Sequence, residues 1–563
     1  MTVHSGAEMV AELFEGYGVS HVFFVPTILN RALVEMEQRT SIKRIVTHAE
    51  KAAAYMADGY GRASGRPGVC MSQVVGAANL AAGLRDAYLG ASPVLAITGG
   101  PFRHSHGRHQ YQEAVDLPLF QPLTKASTPV EDVATIPTAI RQAFRDATSG
   151  RPGPVHLQFA GHHGNILEEE TADVDLYVEQ RFRATPAFRP RASTDDLAAA
   201  ARLLAGAARP VMVLGTGAVT SGAGAAALQL AQRLSMPIAT SLGGKAAVPG
   251  DHPLNVGVVG LYSRETANRL VGEADLVFFV GSSTGSQVSH SWQVPPVGTQ
   301  VIQCDISADV LGLNYRNEAS LLGDARTCLE DLLEQLAGAD VPDRTAWLAR
   351  VADVNAAWRR EWDALLTSDA VPIRPERLCK ELTDVLPSDA VVVADTGHAG
   401  MWTAGMLDLN KPGQGFLRAA GSLGWALPAS LGAKCALPDR PVVAFTGDGG
   451  FWYHMPELET AARWGINSVV VVNNNNALNQ EINIWTEAYG GTLKGRHEEL
   501  WRFGDIDISA VAAQMGVASF RVEKPDDIGS AVEQALAANR PAVVEVVTEL
   551  TALAPKAVVG GAL

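Results

Sequence analysis

Two oxygen-bearing segments in the C-terminal part of the chain could together hold a metal ion. Asp448 stands in a Gly-Asp-Gly turn after the apolar run 442–445, and four asparagines, residues 473–476, follow the next apolar run. Parallel strands deliver their carboxyl ends to one edge of a sheet, so the carboxylate and an amide oxygen can meet there. Such oxygens suit Mg²⁺, and the glycines let the backbone approach a diphosphate. Alone, the segments could be a tight turn and a polar loop, but the 24 residues between Gly449 and Asn474 favour the metal site.

A second candidate for chemistry is the carboxyl group of Glu50. It lies in the alanine-rich, helix-like segment 47–65 and is the only carboxylate there ahead of Asp58. A carboxyl group in a dry site, where desolvation favours its protonated form, can exchange a proton with a bound ligand. The alternative interpretation is an acidic helix start that the helix dipole favours.

Composition excludes several classes of protein. The 563 residues are 47% hydrophobic and 19% charged, which indicates large cores rather than disorder. A net charge of −15 argues against a nucleic-acid partner bound through phosphate neutralisation. The apolar runs are too short for a membrane span and the N-terminus lacks a signal-peptide pattern, so we expect a cytoplasmic protein with no membrane partner. Five widely spaced cysteines argue against a disulfide framework or a structural zinc site.

The elements that must position these groups alternate β-branched runs with Ala/Leu-rich helical patterns, which is typical of α/β domains with parallel sheets. The pattern predicts three such domains over residues 1–185, 192–340 and 370–563, with a charged, Pro-containing linker at 173–191. The first and third domains end alike, with a proline followed by a strand pattern. This similarity hints at two related domains that flank a different one.

Taken jointly, the motifs resemble those of thiamine diphosphate enzymes in the acetolactate synthase/pyruvate oxidase/pyruvate decarboxylase superfamily, most of all acetolactate synthase large subunits. The Gly-Asp-Gly turn and the asparagines match the segment that brackets magnesium diphosphate in that family. The segment with Glu50 looks like the family's glutamate-bearing helix in a pyrimidine-binding first domain, and the third domain like its diphosphate-binding domain. Further matching segments are residues 75–88, 111–116, 244–254, 395–398 and 421–429.

The resemblance implies roles for individual residues. Glu50 would hydrogen-bond the aminopyrimidine ring and promote deprotonation of the reactive carbon, with Gln112 as the second catalytic residue near the cofactor. Asp448 and Asn475 would bind Mg²⁺ through their side chains and Ala477 through its carbonyl oxygen, while Leu423 would hold the cofactor bent. The implied cofactor-binding residues are Gly76, Asn79, Gly397, His398, Leu423, Gly447, Asp448, Gly449, Gly450, Asn475, Ala477 and Leu478.

The implied function is that of a thiamine diphosphate- and Mg²⁺-dependent C–C lyase or carboligase, similar to acetolactate synthase, acting on a 2-keto acid or related small carbonyl substrate. A 2-keto acid decarboxylase and a 2-hydroxyacyl lyase are the alternatives, and a noncatalytic cofactor-binding protein is a more remote one. Since Glu50 of one subunit would meet the cofactor held by another, we expect at least a homodimer and favour a homotetramer.

The sequence departs from the family pattern at positions that bear on the substrate. Thr27, Ile28 and Leu29 replace a Gly-rich loop, and Trp485 stands one place from a substrate-selecting tryptophan. His398-Ala399 replaces a Gln-His pair, and Asn479 replaces a glycine. The residues predicted to face the substrate are Thr27, Ile28, Leu29, His109, Leu478 and Trp485.

Two further features stay open at this level. His104, His106 and His109 share a loop ahead of Gln112, for which a solvated loop is favoured over a metal cluster or a proton relay, because no acidic or cysteine partner completes a ligand set. In the central domain, the residues Gly-Thr-Gly at 215–217 form only part of a dinucleotide fingerprint. Relatives hold FAD, ADP or the nucleotide of CoA there, or nothing, and FAD has no support from neighbouring motifs.

Overall fold

Three six-stranded parallel sheets follow one another along the chain, and a two-stranded antiparallel pair lies beside the first. The structure, a computed structural model, describes residues 2–102, 104 and 106–555. The predicted α/β class with parallel sheets is confirmed. Within the described part of the chain, no helix combines the length and the apolar character that a membrane crossing requires.

The first sheet takes its strands from the N-terminal part of the chain. Its strands are β2 (His21–Phe24), β3 (Lys43–Val46), β4 (Gly68–Ser72), β5 (Val94–Gly99), β6 (Ser127–Val130) and β7 (Pro154–Phe159), and the antiparallel pair is β1 (Thr2–Ser5) with β8 (Thr171–Val174). The helices are α1 (Gly6–Tyr17), α2 (Asn30–Arg39), α3 (Glu50–Ser64), α4 (Ala77–Leu89), α5 (Leu117–Phe120), α6 (Ile136–Thr148) and α7 (Ile166–Glu169). The segment 173–191, predicted as a linker, therefore begins inside a strand.

The central sheet has six strands and a long helix beyond it. The strands are β9 (Pro210–Leu214), β10 (Ile238–Thr240), β11 (Asn255–Val258), β12 (Leu276–Val280), β13 (Gln300–Asp305) and β14 (Ala319–Leu322). The helices are α8 (Thr194–Gly206), α9 (Thr216–Thr220), α10 (Gly224–Arg233), α11 (Glu265–Glu273), α12 (Ala325–Gln335) and α13 (Thr345–Leu366). Helix α13 connects two cores, since Trp347 and Val351 pack into the central one and Trp358 and Leu366 into the third.

The third sheet carries the predicted metal-binding segments. Its strands are β15 (Val391–Ala394), β16 (Gly415–Arg418), β17 (Val442–Gly447), β18 (Val469–Asn474), β19 (Ala518–Val522) and β20 (Ala542–Val547). Its helices are α14 (Pro375–Val385), α15 (His398–Gly405), α16 (Ala426–Ala436), α17 (Asp448–His454), α18 (Glu457–Trp464), α19 (Glu481–Ala488), α20 (Ile508–Gln514) and α21 (Ile528–Ala537).

The strand orders relate the outer two sheets and set the central one apart. The first sheet runs β3-β2-β4-β5-β7-β6 and the third β16-β15-β17-β18-β20-β19, which is the same order when strands are counted within each sheet. The central sheet runs β11-β10-β9-β12-β13-β14, the order of dinucleotide-binding α/β folds. The sequence similarity between the ends of the first and third domains thus accompanies a shared topology.

The first and third domains share one hydrophobic core, in which α3 and α16 are in backbone contact. A Cβ added to Gly59 would lie 2.0 Å from the carbonyl oxygen of Ala429, and one added to Gly432 would lie 1.8 Å from that of Met56. Only glycine permits this approach, because real Cβ atoms do not come so close to other heavy atoms.

A buried polar cluster fixes the same pair of helices. The carboxylate of Asp58 on α3 accepts two hydrogen bonds of 2.7 Å from the Arg62 guanidinium and one of 2.9 Å from Nε1 of Trp425. The guanidinium also lies over the Trp425 indole, 4.7 Å from the ring centroid. Every polar group of the cluster is thereby satisfied, which burial between two domains requires.

We expect Gly59→Ala to destabilise the protein by about 2 kcal/mol or more, because the new methyl group must push α3 away from α16. The midpoint of thermal unfolding measures the effect. The matched control is Gly272→Ala on α11, where nothing lies within 4 Å of the added carbon. That control should leave the midpoint unchanged or raise it slightly, and equal effects of the two substitutions would contradict the close-contact argument.

Candidate active site

The carboxyl ends of the third sheet open into a cavity of about 830 Å³. Ligands of open α/β sheets bind at this edge. Ten of the twelve residues predicted to bind the cofactor line it, and the other two, Gly76 and Asn79, lie in the first domain. Lining residues that the sequence did not assign to the site include Tyr262, Asp395, Asn473, Asn479, Gln480 and Glu481.

Asp448 joins the two segments that the sequence singled out. It begins α17, and its Oδ1 accepts a hydrogen bond of 2.7 Å from the amide of Gly449. Its Oδ2 accepts one of 2.8 Å from the amide of Ala477, beyond the asparagines. Burial raises the pKa of this carboxyl to about 6. A negative charge here therefore needs a partner that the protein's own side chains do not supply.

Of the four asparagines, two line the cavity and one is hydrogen-bonded within the protein framework. Asn474 ends β18, donates from Nδ2 to the carboxylate of Glu545 over 2.7 Å, and accepts at Oδ1 from the amide of Asn476 over 3.0 Å. Asn473 and Asn475 line the cavity, and their buried Oδ1 atoms have no hydrogen-bond partner among the described residues. A buried oxygen without a partner is costly, so these two acceptors are suited to a ligand or a cation.

Glu545 on β20 anchors the asparagine segment from outside the cavity. This residue is fully buried, and its carboxylate accepts 2.7 Å hydrogen bonds from Asn474 and Arg521 and one of 2.8 Å from the amide of Ser509. The Arg521 charge compensates the buried carboxylate. Asn474 is therefore held rigidly, and the turn that carries Asn475 starts from a fixed point.

Asp395 connects three turns around the cavity. Its Oδ1 accepts from the amides of Thr396 and Gly424, over 2.8 and 3.1 Å. Its Oδ2 accepts from the Thr446 hydroxyl over 3.1 Å and the Ala426 amide over 3.3 Å. Burial raises the pKa of Asp395 to about 6. The sequence signal for this role is the Asp-x-Gly turn at 395–397. From that turn, Gly397 and His398 are predicted to bind the cofactor, but Asp395 itself is not.

Of three predicted residues of the third domain, Leu423 and Leu478 line the cavity and Trp485 does not. A Cβ on Gly449 would lie 2.4 Å from Cδ2 of Leu478, so the glycine leaves room for this leucine side chain in its present position. Leu423 lines the cavity in the loop ahead of α16. Trp485 lies on α19, half-buried, and its indole Nε1 has no partner among the described residues.

The first-domain candidates form a separate cluster. Glu50 begins α3, and its Oε2 accepts a hydrogen bond of 3.2 Å from Nδ2 of Asn79. A Cβ on Gly76 would lie 2.5 Å from Oε1 of Glu50, so glycine leaves the carboxylate room. Neither these residues nor Gln112 and His109, both in a loop with positive φ, line the Asp448 cavity of the same chain.

The loop predicted to face the substrate lies largely inside the first domain. Ile28 and Leu29 are fully buried in the first-domain core, and the amide of Leu29 donates to the carbonyl oxygen of His163 over 2.8 Å. Thr27 alone of the three keeps exposed surface. Ile28 and Leu29 thus anchor the loop in the core, as is usual for large aliphatic side chains.

The histidine loop contains a close contact between a histidine and a glutamate. Nδ1 of His106 lies 2.8 Å from Oε1 of Glu113, and His104 and His109 are exposed. Over the described ranges, no group of three or more His, Cys, Asp or Glu residues has the arrangement of a metal site. The described histidines of this loop therefore have a structural explanation in the pairing with Glu113 and in solvation.

A second cavity, of about 1180 Å³, lies at the carboxyl edge of the central sheet. Gly215 and Gly281 line it, and a Cβ on Gly215 would lie 2.1 Å from the carbonyl oxygen of Gly281. Asp305, at the end of β13, lines it together with Arg151 of the first domain and Arg418 of the third. A ligand in this cavity would contact all three domains.

Comparison with known proteins gives matches along most of the chain. Family models for the thiamine pyrophosphate enzymes match residues 4–119 (N-terminal TPP binding domain), 197–332 (central domain) and 395–546 (C-terminal TPP binding domain). A probable acetolactate synthase large subunit of Methanocaldococcus jannaschii is 32% identical, over 99% of this chain and 94% of its own. The acetolactate synthase large subunit of Haemophilus influenzae is 28% identical, over 99% and 97%. A glyoxylate carboligase of Escherichia coli O157:H7 is 30% identical, over 95% and 92%.

We expect Glu545→Gln to destabilise the protein by about 3 kcal/mol, because Arg521 loses its pairing with the buried carboxylate and one of three donors faces an amide NH₂. The midpoint of thermal unfolding checks this expectation. Glu533→Gln, on the exposed face of α21, is the control and should shift stability by no more than about 0.5 kcal/mol. Equal midpoints for the two variants would show that the buried carboxylate does not anchor β18.

Proposed function

The chain belongs to the thiamine pyrophosphate enzyme family as an acetolactate-synthase-like transferase or lyase, and we propose that it is a carboligase that joins two small carbonyl compounds, at least one of them a 2-keto acid. The observation that carries the proposal is the third-domain cavity, where a buried carboxylate and unpartnered amide oxygens lie together. Decarboxylation of the keto acid and cleavage of a 2-hydroxyacyl compound are the alternative outcomes on the same residues.

We propose that Asp448, Asn475 and the carbonyl oxygen of Ala477 hold Mg²⁺. The fit rests on the donor set, which consists of oxygens, and on the buried Oδ1 of Asn475, which lacks a partner. The amide of Ala477 is fixed by Asp448, so the ligand segments are held together before any metal binds. Mg²⁺ at this position would neutralise Asp448 and the phosphate oxygens of the cofactor.

When bound, thiamine diphosphate supplies the carbon nucleophile and electron sink that C–C bond chemistry requires. We propose that Glu50 exchanges a proton with the aminopyrimidine ring through Oε1. Asn79 donates to Oε2 and so leaves Oε1 for the ring, while Gly76 provides the space beside it. Leu423 restricts the cofactor's conformation from the opposite domain. A second copy that covers the cavity would exclude water from the reacting groups.

The separation of the two clusters supports a homodimer at minimum. Glu50, Gly76 and Asn79 lie on one face of the first domain, outside the cavity of Asp448. A second copy that presents its first domain to this cavity would complete the site, and two such dimers would give the tetramer. Two large apolar side chains in the loop between β5 and α5, Tyr111 at 78% and Val115 at 74% exposed, are available for a contact between subunits.

For the central cavity we propose a nucleotide. The central sheet has the strand order of dinucleotide-binding folds. The close approach of Gly215 to Gly281 leaves room for a phosphate, and Asp305 at the end of β13 suits a ribose. FAD is one candidate, and the visible absorption spectrum of the purified protein distinguishes it from ADP or another colourless nucleotide.

Asn475→Ala should raise the Mg²⁺ concentration needed for half-maximal thiamine diphosphate retention by at least about tenfold, because a ligand oxygen is lost. Retention after gel filtration across a Mg²⁺ series measures this. The control is Asn476→Gly: Asn476 contacts the exposed Asp505 and has a φ of 55°, which glycine adopts freely. A control as defective as Asn475→Ala would contradict the assignment of Asn475.

The proposed function is tested by incubating the protein with thiamine diphosphate, Mg²⁺ and pyruvate or glyoxylate, singly and paired, and identifying products by mass. We expect a ligated product, and a loss of turnover of about 10²-fold or more in Glu50→Gln with cofactor still bound. Release of CO₂ and aldehyde alone would indicate the decarboxylase. Cleavage of acyloins or 2-hydroxyacyl thioesters without ligation would indicate the lyase, and undiminished turnover of the variant would contradict the role of Glu50.

A further inference from the structure

The charge balance of the third-domain cavity is unusual for a site that must hold a diphosphate. Asp395, Asp448 and Glu481 line it, together with the phenol of Tyr262. None of the described residues that line it is a lysine or an arginine, and His398 is the one lining side chain there that can carry positive charge. Apart from a metal ion, compensation of the phosphate charge therefore depends on this histidine.

Asn479 determines which nitrogen of His398 can meet a ligand. The Nδ2 group of Asn479 donates to the carbonyl oxygens of Leu550 and Ala552, over 3.1 and 3.0 Å. Both amide hydrogens are thus used, so Oδ1 is the atom that faces His398, at 2.7 Å from Nδ1. Because an amide oxygen only accepts, Nδ1 must carry a hydrogen, and Nε2 is the nitrogen left for the cavity.

The surroundings keep this ring neutral until a ligand arrives. Burial lowers the pKa of His398. The residue is also the first of α15, where the partial positive charge of the helix start disfavours an imidazolium. The Trp402 ring, 6.2 Å away between centroids, packs on one side. In the ligand-free protein Nε2 therefore carries a lone pair, which repels an acceptor.

We propose that His398 binds the diphosphate as an imidazolium, and that cofactor binding takes up one proton at Nε2. Phosphate oxygens accept hydrogen bonds, so Nε2 must become a donor while Nδ1 keeps its hydrogen for Asn479. The proton comes from solvent and no other bond is made or broken. The inference rests on the proposed function, because it requires thiamine diphosphate in this cavity.

Proton uptake makes the affinity depend on pH with a definite sign. Diphosphate favours the protonated ring, so the pKa of His398 is higher with the ligand than without it. Affinity is greatest at low pH and falls as pH rises from the ligand-free pKa to the ligand-bound pKa, by at most about tenfold per pH unit. Asp395, Asp448 and Glu481 also face the ligand, and a variant at position 398 keeps all three.

The experiment is calorimetric titration of thiamine diphosphate into the full-length protein at saturating Mg²⁺. It is run near pH 7.5 in two buffers of different ionisation enthalpy, and again at pH 6.5 and 8.5. Wild type and His398→Gln are compared, because glutamine can donate to phosphate without changing charge. Proton exchange by the ligand itself and by the rest of the cavity is common to both proteins and cancels. His398→Ala provides the same comparison if the glutamine variant does not fold.

We expect wild type to take up close to one proton more per site than the variant, and its affinity to fall more steeply with pH. Equal uptake and parallel pH dependence would overturn the inference and leave the proposed function intact. A wild type that binds no thiamine diphosphate at any pH would instead overturn the proposed function, and this inference with it.

Discussion

The contact between α3 and α16 is the constraint that positions both halves of the proposed active site. Gly59 and Gly432 allow the two helices to touch through their backbones, and the Asp58–Arg62–Trp425 cluster fixes their rotation. Glu50 begins the first of these helices, and the loop with Leu423 leads into the second. The position of each half of the site is therefore set by a helix whose place the other domain determines.

The cavity is built from groups that are satisfied by the protein and groups that are not. Asp395 is fully engaged by four donors and ties the surrounding turns together, although burial raises its pKa to about 6. The side-chain oxygens of Asn473 and Asn475 have no hydrogen-bond partner among the described residues. Asn474, between them, is hydrogen-bonded to Glu545 and to the amide of Asn476. The Mg²⁺ that we propose would thus meet a rigid frame that already ends in unsatisfied acceptors.

Much of this arrangement could be predicted from the sequence because the decisive features are local. The alternation of apolar runs and helical patterns predicted the α/β class, which the structure confirms, and the spaced motifs predicted the thiamine diphosphate family, which the comparisons confirm. Contacts between residues that are far apart in the sequence could not be predicted in this way. The contact of His398 with Asn479, two positions that each depart from the family pattern, depends on how two loops meet. The burial of Ile28 and Leu29 likewise depends on the carbonyl oxygen of His163, far along the chain.

The reciprocal contact of the two helices also carries a consequence for how the chain is organised as a whole. Each glycine faces the carbonyl oxygen one helical turn before the other glycine, and the two sheets behind them share one strand order. This is the self-complementary geometry of a two-fold interface between identical partners. One polypeptide thus contains the architecture of a symmetric pair, with the central domain inserted between its halves. A side chain at either glycine would disturb the helix surface that packs against the other half. Substitution at each of the two positions is therefore constrained by the helix that faces it.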